Sequence, residues 1–378
     1  MTIKSLYDEF EEKFTPRYAS YYNIQIHPKQ LFSGNRTDEK LKCRAFIEKH
    51  FTDGCKKEAL DLSFRKSYDD SNRVVHMTAL YLLGLKLGSL FKRSVQEEFN
   101  KNVSGNTSWF DFKYTWFLTC LYHDTASCVE NNIGAVDKSK FKRSPYTTPV
   151  WPDDPGLRVS FRGSNELAEH YYQYRESSRM FDHGIAGGFL LFDKLVENFK
   201  KQTAGYDLEH GPIIIDGLHW RKEHIDHFRY IADAIICHNM WTVQATDIAG
   251  VETYKKFSLE KLIIDPTSTE DQRLSQRNYP LQFMLCLLDT IEPTKRFENL
   301  SAKDVFTSIS IQKLPARQIR IAWKGEMEKK SGYETWEKAI CGLADWIQVD
   351  VSRQESEGDW NYVTVEFHPA RHRTIRLH

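Results

Sequence analysis

The sequence predicts a mainly helical bundle with a small α+β region at its C-terminal end, and three observations predict it. Between residues 70 and 300, apolar residues recur at helical spacing in one segment after another. None of those segments alternates with period two. After about residue 300, β-branched residues alternate with polar ones, which is the pattern of short strands.

Residues 1–70 are polar, aromatic and charged, with helical stretches such as 38–50. From 74 to 91, Val75, Leu80, Leu83, Leu87 and Leu90 recur at helical spacing. Residues 109–123 are aromatic and apolar enough to form a buried helix ending near His123. The stretch 131–163 is irregular and carries Pro145, Pro149, Pro152 and Pro155 beside a basic cluster, Lys138, Lys140, Lys142 and Arg143. A loop this long is a lid, a binding loop or a surface insertion. Helical pattern returns at 166–179, 185–199, 225–238 and 281–288. Beyond it, 306–314, 318–323, 349–351 and 362–367 read as strands, with a helix opening at Gly332 and running to Ile347. The expected organisation is a helical domain over 1–300, its motif core at about 70–300, and a C-terminal module over 301–378.

Composition narrows the function. Acidic and basic residues balance at 52 each, which gives no electrostatic case for a surface that wraps nucleic acid. Seven cysteines lack CxxC spacing, and several lie in apolar runs, so buried reduced thiols are expected. The N-terminal segment has no apolar signal core and no apolar run reaches membrane-spanning length, so the expected location is the cytoplasm. Aromatic content of 13% is explained mostly by core packing.

The chemistry lies in His76, the His123-Asp124 doublet, His183, His238 and Asp289. With 14 histidines in the chain, one His-Asp doublet by itself carries little weight. Its company carries more. His76 sits inside an apolar helix, His123 and His238 each close one, and Asp289 follows an apolar run. Polar groups set against buried helix faces must be paired, protonated or metal-bound. Four imidazoles and two carboxylates brought inward by helices are a ligand set for two divalent transition metals. The competing histidines are His219, His224 and His227; the last two share a helix face, and the plainer reading is a solvated turn rich in Arg and Lys. His170 is expected at the surface or behind a ligand, and Asp182 is expected to orient an imidazole.

The ordered set His76, His123-Asp124, His183, His238, Asp289 resembles the HD-domain superfamily of metal-dependent phosphohydrolases over residues 70–300. The local segments Asp182-His183-Gly184-Ile185-Ala186-Gly187-Gly188 and Leu287-Leu288-Asp289-Thr290-Ile291-Glu292-Pro293 are similar to that superfamily's corresponding stretches. The resemblance implies an HD-type helical bundle. It implies one metal on His76, His123, Asp124 and Asp289, with Asp124 bridging, and a second on His183 and His238 with positions open for water and substrate. Asp124, His183 and His238 would border the reacting atoms. The metals would be two ions of Mn, Fe, Ni, Co or Zn. The implied activity is hydrolysis of a phosphoester, nucleotide-type first among them, by metal-bound hydroxide. Two activities share the ligand order: a diiron oxygenase of the myo-inositol oxygenase type and an HD-type nuclease. Many members continue His-Asp-x-Gly-Lys, whereas this chain has Thr125-Ala126-Ser127, so phosphate positioning must come from elsewhere. Arg162, Arg175, Arg179, Lys295 and Arg296 are the cations near motif residues. A small phosphoester is the expected partner, nucleic acid and a second copy of the chain stay open, and no membrane is expected.

Overall fold

The computed structural model describes residues 3–13, 28–50, 73–102, 110–124, 166–177, 182–215, 218–240, 242–265, 267, 273–315 and 317–367. The proline-rich stretch 131–163, with its basic cluster and Arg162, lies outside them, as do Arg179, Cys55 and Cys128.

The chain opens with α1 (Leu6–Lys13), α2 (Pro28–Leu31) and α3 (Arg36–His50). Asp8 and Glu9 lie in the first turn of α1, and Asp38 and Glu39 in that of α3, where carboxylates complement the unpaired N–H groups of a helix start. Helix α4 (Arg73–Leu87) is apolar around almost its whole circumference, so only the interior suits it, and it is buried from Val74 through Gly84. A 3-10 turn at Gly88–Leu90 leads into α5 (Lys92–Asn102). Helix α6 (Phe112–Tyr122) starts where the Asp111 carboxylate accepts the Tyr114 N–H at 2.9 Å, and it ends at His123 as the sequence predicts.

Next come α7 (Glu166–Ser177), α8 (His183–Gln202), a hairpin of β1 (Ile213–Ile215) and β2 (Leu218–Trp220), and α9 (His224–Ile236). Helices α8 and α9 pack at close range, and glycine makes that possible. A Cβ on Gly188 would stand 2.6 Å from Ile236 Cγ1 and 2.9 Å from the Ala232 carbonyl oxygen. A Cβ on Gly184 would stand 2.8 Å from both His238 Nδ1 and the Ile235 carbonyl oxygen. Two residues of β3 (Val243–Gln244) pair in parallel with β4 (Ile263–Ile264) across α10 (Ile248–Lys256). Helix α11 (Pro280–Ile291) begins on a proline, whose fixed φ and missing N–H suit a first turn, and it is buried from Pro280 to Leu288.

The C-terminal region departs from the sequence reading at three places, one of them the strand opening at Val349, which runs to Glu357 and not to 351. Residues 306–308 belong to a helix, α12 (Ala302–Ser308), and the strand β5 (Ile309–Leu314) starts only after it. The reason is local: Ser301 Oγ accepts the Asp304 N–H at 3.1 Å and nucleates a helical turn ahead of the β-branched run. Strand β6 (Gln318–Lys324) follows, then α13 (Tyr333–Cys341), which stops short of Ile347 because Gly342 tightens the chain into a 3-10 turn, Gly342–Asp345. Strands β7 (Val349–Glu357) and β8 (Trp360–Phe367) complete an antiparallel sheet of order β5-β6-β8-β7. Ile309, Ile311, Ile319, Ile321, Val363 and Val365 are buried on one face of it.

That face is continuous with the helical core. Phe367 meets Phe283 of α11 edge-on at 6.0 Å, and the Trp336 indole N–H donates to the Ile291 carbonyl at 3.2 Å. The C-terminal region thus braces α11 near its start, through the sheet, and at its end, through α13. Among the described residues no single helix is long and apolar enough to cross a membrane. Cys43, Cys120, Cys237 and Cys286 are buried free thiols, and Cys341 is an exposed one.

Gly188→Ala should destabilise the protein by about 1–2 kcal/mol, because the clash with Ile236 and the Ala232 carbonyl outweighs the gain in helix propensity. Urea denaturation measures it, and an unchanged midpoint would contradict the close packing of α8 on α9.

Candidate metal centre

All six sequence-predicted residues meet in one place. His76 comes from the first turn of α4, His123 and Asp124 from the end of α6, His183 from the start of α8, His238 from just past α9, and Asp289 from the last turn of α11. They form two groups that could each hold a metal ion, His76, His123 and Asp289 on one side and Asp124, His183 and His238 on the other, with the ligand atoms of each group within 4.8 Å of one another. The imidazoles run as a chain: ring centroids are 5.4 Å apart from His76 to His123, 5.4 Å from His123 to His238 and 5.1 Å from His238 to His183. Asp124 stands between the groups, with Oδ1 3.2 Å from His183 Nε2 and Oδ2 3.7 Å from His123 Nε2.

The orientation of the rings is the informative part. His123 Nδ1–H donates to the Cys120 carbonyl at 2.9 Å, and His238 Nδ1–H donates to the Ile235 carbonyl at 2.6 Å. In both cases the acceptor is three residues back, in the last turn of a helix, where carbonyls lack intrahelical partners. His76 Nδ1–H donates to Glu292 Oε2 at 2.5 Å. With three Nδ1 protons directed outward, three Nε2 atoms face inward, the orientation in which metal-binding imidazoles are held. Around His76 and His123 the convergence is close: Nε2 to Nε2 is 3.3 Å, and Asp289 Oδ1 is 2.9 Å from the first and 3.4 Å from the second. Ligands about 2.1 Å from a common ion lie roughly 3.0 Å apart in an octahedral shell and 3.4 Å apart in a tetrahedral one. The donor set and its spacing fit a divalent transition metal.

Charge in the site is balanced locally. Burial raises the pKa of Asp124, but His123, Arg73 and His183 outweigh it and hold the carboxyl well below the usual range; Arg73 Nη1 is 2.5 Å from Oδ2. Burial likewise opposes ionisation of Asp289, and Lys295, His123 and His76 overcome it; Lys295 Nζ lies 2.5 Å from both carboxylate oxygens. For His76, burial disfavours the cation, yet hydrogen bonds to Asp289 and Glu292 raise its pKa. His238 is the opposite case: burial, then the neighbouring His183 and His123, hold it down to about 3, so it is a neutral imidazole.

Several residues were not legible in the sequence as parts of the site. Glu292, Arg73 and Asn239, whose Nδ2 is 2.8 Å from His183 Nε2, join it only through tertiary contacts. Among the cations that sequence offered, Lys295 reaches a candidate ligand directly, while Arg175 reaches Asp182, with Nη2 3.6 Å from Oδ2. Asp182 does not orient an imidazole as expected. It caps α8, accepting the Ile185 N–H at 3.0 Å and the Tyr171 hydroxyl at 3.1 Å, and so fixes the turn from which His183 projects.

The competing histidines are elsewhere. His224 and His227 are buried, not solvated: the apolar face of α9 carries them into the core beside Phe99, Phe199 and Phe228. His227 Nε2 lies 2.8 Å from Thr115 Oγ1. His219 pairs through its backbone with Ile214 in the hairpin, and His170 is peripheral, with Nδ1 3.2 Å from the Ser258 carbonyl. Compared with known proteins, the chain matches no family model, no curated protein and no solved structure.

Burial holds His224 near a pKa of about 4, below its ordinary 6.5. The unfolded chain therefore takes up a proton between pH 6.5 and 4 that the folded chain refuses, so stability falls as pH falls through this window. His224 alone should cost about 3 kcal/mol between pH 7 and 4. Urea melts across that range should find His224→Phe less acid-sensitive than wild type by about that amount.

Proposed function

We propose that this protein is an HD-type metal-dependent phosphohydrolase that cleaves a phosphoester, nucleotide-type substrates being the first class to test. One observation carries the reading: four imidazoles and two carboxylates, contributed by five separate helices, converge on one space, three of the imidazoles with Nε2 directed into it. The order of these residues along the chain resembles that superfamily's motif, and the two groupings suit two cations, with Asp124 standing between the groups.

His76, His123 and Asp289 would hold one cation and Asp124, His183 and His238 the other. Two divalent cations in such a site bind phosphoryl oxygens, lower the pKa of a water and stabilise charge as it develops. The protein's own part is positional and electrostatic. Asp124 stays anionic at neutral pH because Arg73 and the imidazoles offset its burial. His238 stays neutral, so its Nε2 lone pair is free to ligate. Arg73 is 36% exposed and Lys295 20% exposed, against 5% for Asp124, so the two cations border the open side of the cluster. There they can meet phosphoryl oxygens, a role that a lysine after the His-Asp doublet takes in many members of the superfamily and that this chain's Thr125-Ala126-Ser127 does not supply.

Elemental mass spectrometry of the purified protein should find about two transition-metal equivalents, lost in Asp124→Ala. The loaded protein should release phosphate or nucleoside from a phosphoester panel. Near-zero metal after reconstitution with manganese, iron or nickel would overturn the reading. Substrate-dependent oxygen uptake without phosphate release would replace it with the oxygenase.

A further inference from the structure

Resting on the two-metal reading, we infer that Glu292 is a positioning residue that makes the group of His76, His123 and Asp289 the tighter metal position, so that metal loads in a fixed order, this group first.

The argument starts from the chain leaving α11. Asp289 lies in the last turn of that helix and Glu292 caps its end, three residues on. The two carboxylates grip opposite nitrogens of one imidazole: Asp289 Oδ1 is 2.9 Å from His76 Nε2, and Glu292 Oε2 is 2.5 Å from His76 Nδ1. Glu292 is itself fixed. Pro293 constrains the turn, the Thr294 N–H donates to Oε1 at 3.0 Å, and the Thr294 hydroxyl donates to Oε2 at 2.9 Å. The carboxylate is only 1% exposed, so water does not compete for His76 Nδ1. A buried carboxylate accepting the Nδ1 proton fixes the tautomer, fixes the ring plane and leaves Nε2 a stronger donor.

The other group is backed differently. His238 Nδ1–H meets a neutral backbone carbonyl, Ile235, at 2.6 Å. His183 is 15% exposed, and the Asn239 Nδ2 lies 2.8 Å from its Nε2, the atom that faces Asp124, where it competes for the lone pair. A carboxylate accepting the Nδ1 proton polarises an imidazole more than a neutral carbonyl does, and a donor set against Nε2 weakens it as a ligand. The two positions therefore differ in donor strength and in rigidity, and both differences favour the one behind which Glu292 stands.

The test is a titration of the metal-stripped full chain with Co(II), followed by calorimetry and by the visible absorption of the bound ion. Wild type should fill two positions in two resolved steps. Glu292→Gln keeps an oxygen for His76 Nδ1 but removes the charge; it should weaken the first step about 10- to 100-fold and leave the second unchanged. His183→Ala should abolish the second step and leave the first. Thr294→Val, which touches no ligand, should weaken the first step by less than Glu292→Gln does, and it carries the test if Glu292→Gln does not fold. Two equal steps in wild type, an unchanged first step in the variants, or an equal weakening of both steps, as a merely structural role would produce, would each overturn the inference. Failure of the two-metal reading looks different, since wild type itself would then take up no Co(II).

Discussion

The structure depends on keeping two ionised carboxylates inside an apolar helical core. An uncompensated buried charge costs several kcal/mol, so Asp124 and Asp289 can be held there only with cations and donors close by. Each has them: Arg73 and the imidazoles for Asp124, and Lys295 with His76 and His123 for Asp289. The same low-polarity surroundings that make the carboxylates expensive strengthen every attraction between them and a bound cation. Burial and ligand strength are two consequences of one arrangement.

The scaffold serves that arrangement by bringing helix ends together. His123 and His238 both stand where a helix has just stopped, and both give their Nδ1 proton to a last-turn carbonyl three residues back. His183 stands where a helix has just begun, on a turn fixed by Asp182. The close packing of α8 on α9, allowed by Gly184 and Gly188, brings His183 and His238 within ring contact. Asp289 depends on α11, which the C-terminal region braces through Phe367 of the sheet and Trp336 of α13. A region that, among the described residues, holds no candidate ligand thus fixes the position of one, because groups held on packed elements keep their geometry better than groups on loops.

The site also has a direction. The imidazoles of His76 and His123 and the carboxylate of Glu292 are fully enclosed, while Arg73, Lys295 and His183 retain some exposure. A ligand arriving from solvent would meet positive charge before it met the buried groups. That polarity suits an anionic substrate, and it follows from the same ion pairs that stabilise the buried carboxylates.

The sequence alone determined the helices with strong apolar periodicity, the change to strands after residue 300, and the six residues that meet in the candidate centre. It could do so because these signals are local: periodicity of 3.6, a histidine closing an apolar run, a carboxylate after one. It misplaced the start of β5 and the end of α13, where a serine cap and a glycine acted within a single turn. What only the tertiary structure decided was partnership. Glu292 lies 216 residues from His76, and nothing local marks it as the acceptor of that ring's proton. The spacing of His224 and His227 suited a metal as well as that of any pair in the chain, yet the apolar face of α9 turned both into the aromatic core. Sequence names the groups able to ligate; the packing of distant helices decides which of them face one another.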